Sequence, residues 1–176
     1  MSIIKPNNNT LSSITALPNG IVSSSALASG VGGKLLQYKY ASTATGVTVT
    51  SNTFTDVGIT ASITPTSASN TIYIDVNCPD NRKETNNTNM NVKVYRQING
   101  GGYSALGFIT AGWGYTGSTA MMTAAVSGVM ADTSHNTTNQ IDYKIYINSG
   151  QNVARIKLNV DGTSTTSIIA YEVASW

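Results

Sequence analysis

The sequence predicts an all-β protein: an antiparallel β-sandwich, jelly-roll-like, with an extended N-terminal arm. Short segments alternate apolar and polar residues, turn-forming residues separate them, and no segment keeps a 3.6-residue apolar period over three turns. Such alternation places one face of each strand against a core and the other face in water. Many short antiparallel strands at this spacing are typical of sandwiches, and a jelly roll is the topology we expect.

The individual strands follow from this alternation. From Ile141 to Ile147, for example, every second residue is apolar or aromatic. Asn99-Gly100 and Asp161-Gly162 provide tight turns, because Asn and Gly tolerate a positive φ. The expected strands cover residues 35–40, 47–50, 53–57, 59–64, 71–76, 90–98, 103–110, 119–129, 141–148, 154–160 and 167–173.

Residues 1–33 differ from the rest and are expected to form a docking arm, whereas residues 34–176 form the sandwich domain. The arm is rich in Asn, Ser and Gly and contains only short apolar islands. Its apolar area is too small to offset the entropy of ordering, so a groove on a partner has to hold it. The residues expected to dock there are Leu11, Ile14, Leu17 and Ile21. The alternative is an arm that lies on its own domain.

Composition argues against several kinds of partner. Only 10% of the 176 residues are charged and the net charge is +2, whereas about 25% is ordinary for soluble domains. Despite a pI near 8.7 there is no basic stripe, so nucleic acid is not an expected partner. No stretch approaches the roughly 18 apolar residues of a membrane span, and the N-terminus has no apolar signal core. We therefore expect neither membrane insertion nor signal-directed export.

Few groups are available for catalysis. The chain has one His and one Cys, two of the residue types on which acid–base and nucleophilic catalysis depend. Cys78 is expected to be a small buried hydrophobe. His135 is expected in an exposed loop, where its neighbours Asp132 and Ser134 form neither a triad nor a metal site. The charged segment 79–87 is expected to be a solvated loop tip. We therefore expect no enzyme activity, no cofactor and no metal.

Residues 112–117 match the GxGxxG pattern of dinucleotide-binding loops. That pattern binds pyrophosphate only where it opens a helix, and the residues that follow here predict a strand. Aromatic residues in and near the segment are better explained as side chains on a polar loop that contacts a sugar or a partner. The candidate receptor contacts are Tyr103, Trp113 and Tyr115. The alternative is an aromatic hairpin that caps the sandwich or meets a neighbouring subunit.

Residues 119–129 are expected near a contact between subunits. The apolar residues of this segment lie on both faces of the expected strand: Ala120, Met121, Met122, Ala124, Ala125, Val126 and Val129. The core of a single sandwich buries one face of each strand, so apolar residues on the other face stay exposed unless a partner covers them. We therefore expect the protein to self-associate.

Residues 53–76, TFTDVGITASITPTSASNTIYIDV, resemble a block that recurs in virion proteins of tailed bacteriophages. In that block a Phe-x-Asp-x-Gly strand leads to Ile-Thr-Pro, a Ser-rich turn and an apolar strand. TLSSITALPNG (residues 10–20), GKLLQ (33–37) and the closing SIIAYEV (167–173) are similar to the beginning and the last strand of such proteins. The resemblance covers both ends and the first third of the chain, and residues 90–150 carry no match.

The resemblance implies a virion structural protein, made in the host cytoplasm and placed on the exterior of a capsid or tail. It implies a homotrimer that also binds other virion proteins, as a capsid-decoration protein or a short head or tail appendage anchored by its arm. The short body favours this interpretation over a complete fibre. The alternative is a tail-fibre or tail-tip protein that recognises a host surface glycan. A nearly neutral surface rich in Thr and Asn suits dense, symmetric packing of many copies.

Overall fold

The computed structural model describes residues 34–151 and 154–175, which contain strands, turns and loops but no helix. The predicted docking residues of the arm lie outside this part of the chain. The described strands are β1 (Leu35–Thr43), β2 (Val47–Val49), β3 (Thr55–Ile63), β4 (Thr71–Lys83), β5 (Thr88–Ile98), β6 (Ser104–Thr116), β7 (Met122–Asp132), β8 (Ile141–Ser149), β9 (Ile156–Leu158) and β10 (Thr166–Val173). With no helix among the described residues, none is available there to span a membrane.

The strands form two antiparallel sheets. In sheet A, β10 lies between β1 and β4, and β7 pairs with the other edge of β4. The short strands β9 and β2 extend this sheet beside the C-terminal part of β4. Sheet B has the order β3-β8-β5-β6. Without the two short strands, β1-β10-β4-β7 packed on β3-β8-β5-β6 is the strand order of a jelly roll, which confirms the predicted fold class.

The core lies between the inner faces of the two sheets. Ile72, Ile74 and Val76 enter it from sheet A, and Ile145 and Ile147 enter it from sheet B, all fully buried. These residues occupy every second position of their strands, as the alternation predicted. Burying one such side chain stabilises the fold by roughly 1.5 to 3 kcal/mol, so the alternation decides which face of each strand points inward.

The β5–β6 hairpin confirms the predicted Asn-Gly turn. Asn99 and Gly100 have φ angles of 50° and 73°. The Gly101 amide donates a hydrogen bond to the Ile98 carbonyl at 3.0 Å, which closes a two-residue turn. Positive φ at both central residues defines a type I′ turn, whose twist matches that of the flanking strands.

Several strands are longer than the sequence predicted, and in β3 and β4 the difference changes the interpretation. The segments 53–57 and 59–64 belong to one strand, β3, whose pairing with β8 is irregular between Asp56 and Thr60. β4 does not end at Val76, as predicted, but continues to Lys83, so the prediction of a solvated loop over 79–87 is wrong for its first half. The reason is a register shift between Cys78 and Asn81, which tolerates the missing amide hydrogen of Pro79.

Lys83 is fully buried at the end of β4, contrary to the expected solvation of this segment. Its Nζ donates hydrogen bonds to the Thr116 hydroxyl and, at 2.8 Å, to the Thr119 carbonyl. The buried ammonium group is therefore solvated by neutral protein oxygens, which tie β4 to the end of β6 and the loop after it.

Candidate functional site

The outer face of sheet A carries aromatic and aliphatic side chains on all four of its long strands. We call this surface the tyrosine face; it comprises Leu35, Tyr38, Tyr40, Tyr73, Val129, Ile169, Tyr171 and Val173. Tyr38 lies opposite Tyr171, and Tyr171 lies opposite Tyr73, so three rings form one row across β1, β10 and β4. The Tyr38 and Tyr171 ring centroids are 6.5 Å apart.

A second row of the tyrosine face runs from Tyr40 through Ile169 and Asp75 to Val129. Tyr40 and Val129 are 59% and 62% exposed. The next row is polar and bounds the surface: Ser42, Ser167, Asn77 and Ser127. Exposed apolar surface of this kind, interrupted here by Asp75 and edged by polar residues, marks interaction sites on soluble proteins.

The outer face of sheet B carries a different surface, in which rings and lysines alternate. We call it the aromatic–lysine cluster; it comprises Phe54, Lys93, Tyr95, Tyr103, Phe108, Lys144 and Tyr146. Lys93 Nζ lies 4.6 Å from the centroid of the Phe54 ring and 4.1 Å from that of Phe108. Lys144 Nζ lies over the Tyr103 ring at 4.8 Å. Cations over ring faces in this geometry are attracted by the ring quadrupole.

Charges in the aromatic–lysine cluster are only partly balanced. Lys144 forms a salt bridge with Asp56 at 2.7 Å, and this contact raises the pKa of Lys144. Burial raises the pKa of the Tyr103 and Tyr146 hydroxyls, so both tyrosines are neutral at physiological pH. Lys93 makes no salt bridge with any residue of the described part of the chain. The cluster therefore presents one uncompensated positive charge among aromatic rings.

The predicted receptor contacts do not form one site. Tyr103 belongs to the aromatic–lysine cluster, but Trp113 and Tyr115 lie in β6 and not on a flexible loop, so that part of the prediction is wrong. Trp113 pairs with Met90 and packs against the core, whereas Tyr115 is exposed. Tyr103 immediately precedes β6, whereas Trp113 lies near the other end of that strand.

The glycines of the GxGxxG segment have a structural explanation. Gly112 and Gly114 have φ angles of 84° and 73° within β6, where the pairing with β5 is repeatedly shifted. The left-handed backbone at these positions favours glycine. The segment is thus an irregular edge strand, and no helix follows it in the described residues.

His135 is buried, and the prediction of an exposed histidine is wrong. The residue lies in a loop, as expected, but its Nε2 is 2.7 Å from the Asn70 carbonyl and its Nδ1 is 3.1 Å from the Thr137 carbonyl. These contacts tie the loop before β8 to the loop before β4. The ring therefore fills space between two loops instead of facing solvent.

A buried carboxylate joins the segments that resemble phage virion proteins. Glu172 of β10 accepts hydrogen bonds from Gln37 Nε2 at 2.6 Å, from the Thr66 amide at 2.6 Å and from Asn70 Nδ2 at 2.6 Å. Burial by itself would raise the pKa of Glu172, but these donors lower the pKa below its usual range. The blocks 33–37, 53–76 and 167–173 thus meet at one side chain.

A second buried carboxylate links the two sheets. Asp132 at the end of β7 accepts two hydrogen bonds from Arg96 Nη1 of β5, at 2.7 and 2.8 Å, and one from the Tyr143 hydroxyl of β8 at 2.8 Å. Burial opposes ionisation, but Arg96, Tyr143 and Ser134 together lower the pKa of Asp132. Burial also raises the pKa of Tyr143. These hydrogen bonds tie the end of β7 in sheet A to β5 and β8 in sheet B.

Side chains that could bind a metal ion or act as a nucleophile are sparse in the described part of the chain. No three His, Cys, Asp or Glu side chains converge there to hold a metal ion. Cys78 is fully buried, as predicted, and burial raises the pKa of its thiol to about 12. The described residues carry two candidate binding surfaces, the tyrosine face and the aromatic–lysine cluster. The outward-facing aromatic residues of the strands could have indicated both surfaces from the sequence. That inference needs the strand order, which shows which of these residues become neighbours.

No protein-family model matches the chain, and no curated protein sequence matches it. Among solved structures, the chain is similar to VP2 of infectious bursal disease virus in a subviral particle, at 12% identity and a TM-score of 0.47 over 80% of this chain and 38% of that one. It is also similar to a structure of the Gt strain of that virus, at 11% identity and a TM-score of 0.45 over 80% and 39%. The chain thus spans about two fifths of the length of these neighbours. The jelly-roll assignment rests on the strand order of this chain and not on these similarities.

Proposed function

We propose that this chain is a structural protein of a virus particle that assembles with copies of itself through the tyrosine face. The observation that carries the proposal is the exposed apolar surface across β1, β10, β4 and β7, with Tyr38, Tyr40 and Val129 each about three fifths exposed. Burying such side chains against a partner releases roughly 25 cal/mol for each Å² of apolar area. A jelly roll supports the role, because this fold is frequent in capsid proteins and in lectins.

The finer assignment comes from the sequence resemblance. It favours a tailed bacteriophage and a homotrimeric capsid-decoration or short head or tail appendage protein on the outside of the particle, anchored through residues 1–33. The meeting of three separate resembling blocks at Glu172 supports their origin in one structural unit. In this role the protein has no catalytic function and takes no cofactor.

Self-association is tested by multi-angle light scattering of the complete chain at micromolar concentration. We expect about three times the 18.4 kDa of one chain for the wild type. Tyr40→Lys combined with Val129→Lys should return the mass of one chain, because both lysines would lose their hydration in the contact. Thr138→Lys combined with Thr165→Lys, at exposed loop positions, is the control and should keep the wild-type mass.

Two results would contradict the proposal. A wild-type mass of 18.4 kDa would exclude self-association under these conditions. An unchanged oligomer in the Tyr40→Lys, Val129→Lys variant would exclude the tyrosine face as the contact. Far-UV circular dichroism of each variant shows whether the sandwich is intact.

A second candidate function is favoured by the aromatic–lysine cluster. Its rings and its unpaired lysine fit a tail-fibre or tail-tip protein that binds a host surface glycan better than they fit a contact between copies.

A further inference from the structure

We propose that the aromatic–lysine cluster on the outer face of sheet B binds a glycan that carries a carboxylate. Phe108, Lys93 and Tyr146 lie opposite one another on β6, β5 and β8, so the lysine has a ring on either side. Phe54 lies over the same lysine from the segment before β3. This contact involves the outer face of sheet B alone and does not require the virion role.

The rings are close enough to act together, and Phe108 is exposed while the others are half-buried. Phe108 is 49% exposed, an unusual position for a phenylalanine on a sheet with a complete core beneath it. Its ring centroid is 6.2 Å from that of Phe54, and the Phe54 centroid is 6.1 Å from that of Tyr95. Tyr95 and Tyr146 are 4.1 Å apart. One face of a pyranose ring presents C–H groups that pack on aromatic faces of this kind, while its hydroxyls remain at the edge.

The charge of Lys93 determines which glycan fits. Its ammonium lies among the rings without a carboxylate partner in the described residues, whereas the neighbouring Lys144 is paired with Asp56. A bound carboxylate would supply the missing opposite charge, and a hydrogen bond between two ionised groups is among the stronger ones. A uronic or sialic acid unit combines this carboxylate with a C–H face in a single residue.

Other occupants fit this surface less well. A symmetric contact with a second copy would bring two Lys93 ammonium groups together and remove both from water, which is costly. A peptide bound by strand addition would pair along the free edge of β6, but Lys93, Tyr95 and Tyr146 lie on β5 and β8, whose backbone groups are paired on both sides. The tyrosine face carries one charged residue, Asp75, in its rows of aromatic and aliphatic side chains; it is the more exposed apolar surface and therefore the better one for self-association.

The experiment is binding of the complete chain to an immobilised panel of oligosaccharides ending in uronic or sialic acid, each beside its neutral counterpart. We expect binding to at least one carboxylated glycan and about tenfold weaker binding to its neutral counterpart, the equivalent of about 1.4 kcal/mol. Lys93→Met should abolish the preference for the acid form, and Phe108→Ala should weaken binding to both forms about tenfold. Lys39→Met, which removes the same charge at an exposed position of β1 in sheet A, is the matched control and should bind as the wild type does.

Each other outcome would overturn the proposal. Binding to no carboxylated glycan, or a preference for the acid form that survives in Lys93→Met, would exclude the proposed contact. Displacement of the glycan by inorganic phosphate alone, with Phe108→Ala unaffected, would show a simple anion site without a sugar platform. Circular dichroism and the thermal midpoint of each variant distinguish lost binding from lost folding.

Discussion

Glu172 is a fully buried carboxylate whose partners in the described residues are all neutral. We expect Glu172→Gln to destabilise the protein by about 2 to 4 kcal/mol, because the amide turns an NH₂ group toward donors that need an acceptor. Glu84→Gln is the control; Glu84 accepts from Lys157 at 2.9 Å in a partly exposed ion cluster, so we expect a loss under about 1 kcal/mol. Urea denaturation of both variants measures the difference. Equal losses of unfolding free energy in the two variants would show that the burial of Glu172 does not increase the cost of its substitution.

The lowered pKa of Glu172 also predicts that the stability of the protein depends on pH. The pKa of Glu172 is lowered from 4.5 in the folded protein, and that of Asp132 is lowered from 3.8. Between the lowered pKa values of the folded protein and the ordinary values of the unfolded chain, the unfolded chain binds more protons than the folded protein. The contribution of Glu172 and Asp132 to the free energy of unfolding is therefore complete above the ordinary pKa values and is lost as the pH falls through the lower folded values. The urea midpoint should therefore fall steadily between about pH 5 and pH 2. Glu172→Gln should make the urea midpoint depend less on pH. An unchanged dependence in this variant would show that other carboxylates cause it.

Arg96 and Asp132 provide a second test at the residue scale. We expect Arg96→Met to cost about 3 kcal/mol or more, because it leaves the Asp132 carboxylate buried without its cation. Adding Asp132→Asn should recover part of the loss, since the amide carries no charge that needs compensation. Lys39→Met, at an exposed position, is the control. Thermal denaturation monitored by circular dichroism measures all three, and a small effect of Arg96→Met alone would contradict the expected cost.

At the scale of elements, β6 and β7 approach each other where the two sheets have their open edges. A Cβ atom on Gly128 of β7 would lie 3.1 Å from Ile109 Cγ2 of β6, and one on Gly107 of β6 would lie 2.9 Å from Met130 Cε of β7. The two contacts differ in stiffness, because β-branched Ile109 has little rotamer freedom and the end of Met130 is flexible. Small residues therefore allow these edge strands to close one side of the sandwich.

This difference predicts the outcome of a matched pair of substitutions. We expect Gly128→Ala to cost about 1 to 2 kcal/mol and Gly107→Ala to be close to neutral, because only the first displaces a rigid neighbour. Both add the same methyl group to a strand, so changes in intrinsic strand preference cancel between them. The free energies of unfolding in urea measure the pair, and a greater cost for Gly107→Ala would reverse the assignment.

At the scale of the whole molecule, residues 34–175 form one compact unit with its own core. We expect deletion of residues 2–30 to leave a folded body whose circular dichroism and thermal midpoint match the complete chain. We also expect the truncated protein to lose attachment to its partner, since the arm is its proposed anchor. Incorporation into particles at normal occupancy would place the attachment on the sandwich, and loss of folding would show that the arm belongs to the core.

The sequence by itself determined the all-β class, the inward faces of the strands and the Asn99-Gly100 turn. These features are local: a period of two residues and a residue pair that tolerates positive φ act within a few positions of the chain. Only the tertiary structure decided which outward side chains become neighbours. Tyr38, Tyr171 and Tyr73 come from distant segments, and their row exists because β10 lies between β1 and β4 in one particular register. The same holds for Phe54 beside Lys93 and Phe108, and for the burial of Lys83 and His135, because a strand's partners and register depend on residues far along the chain.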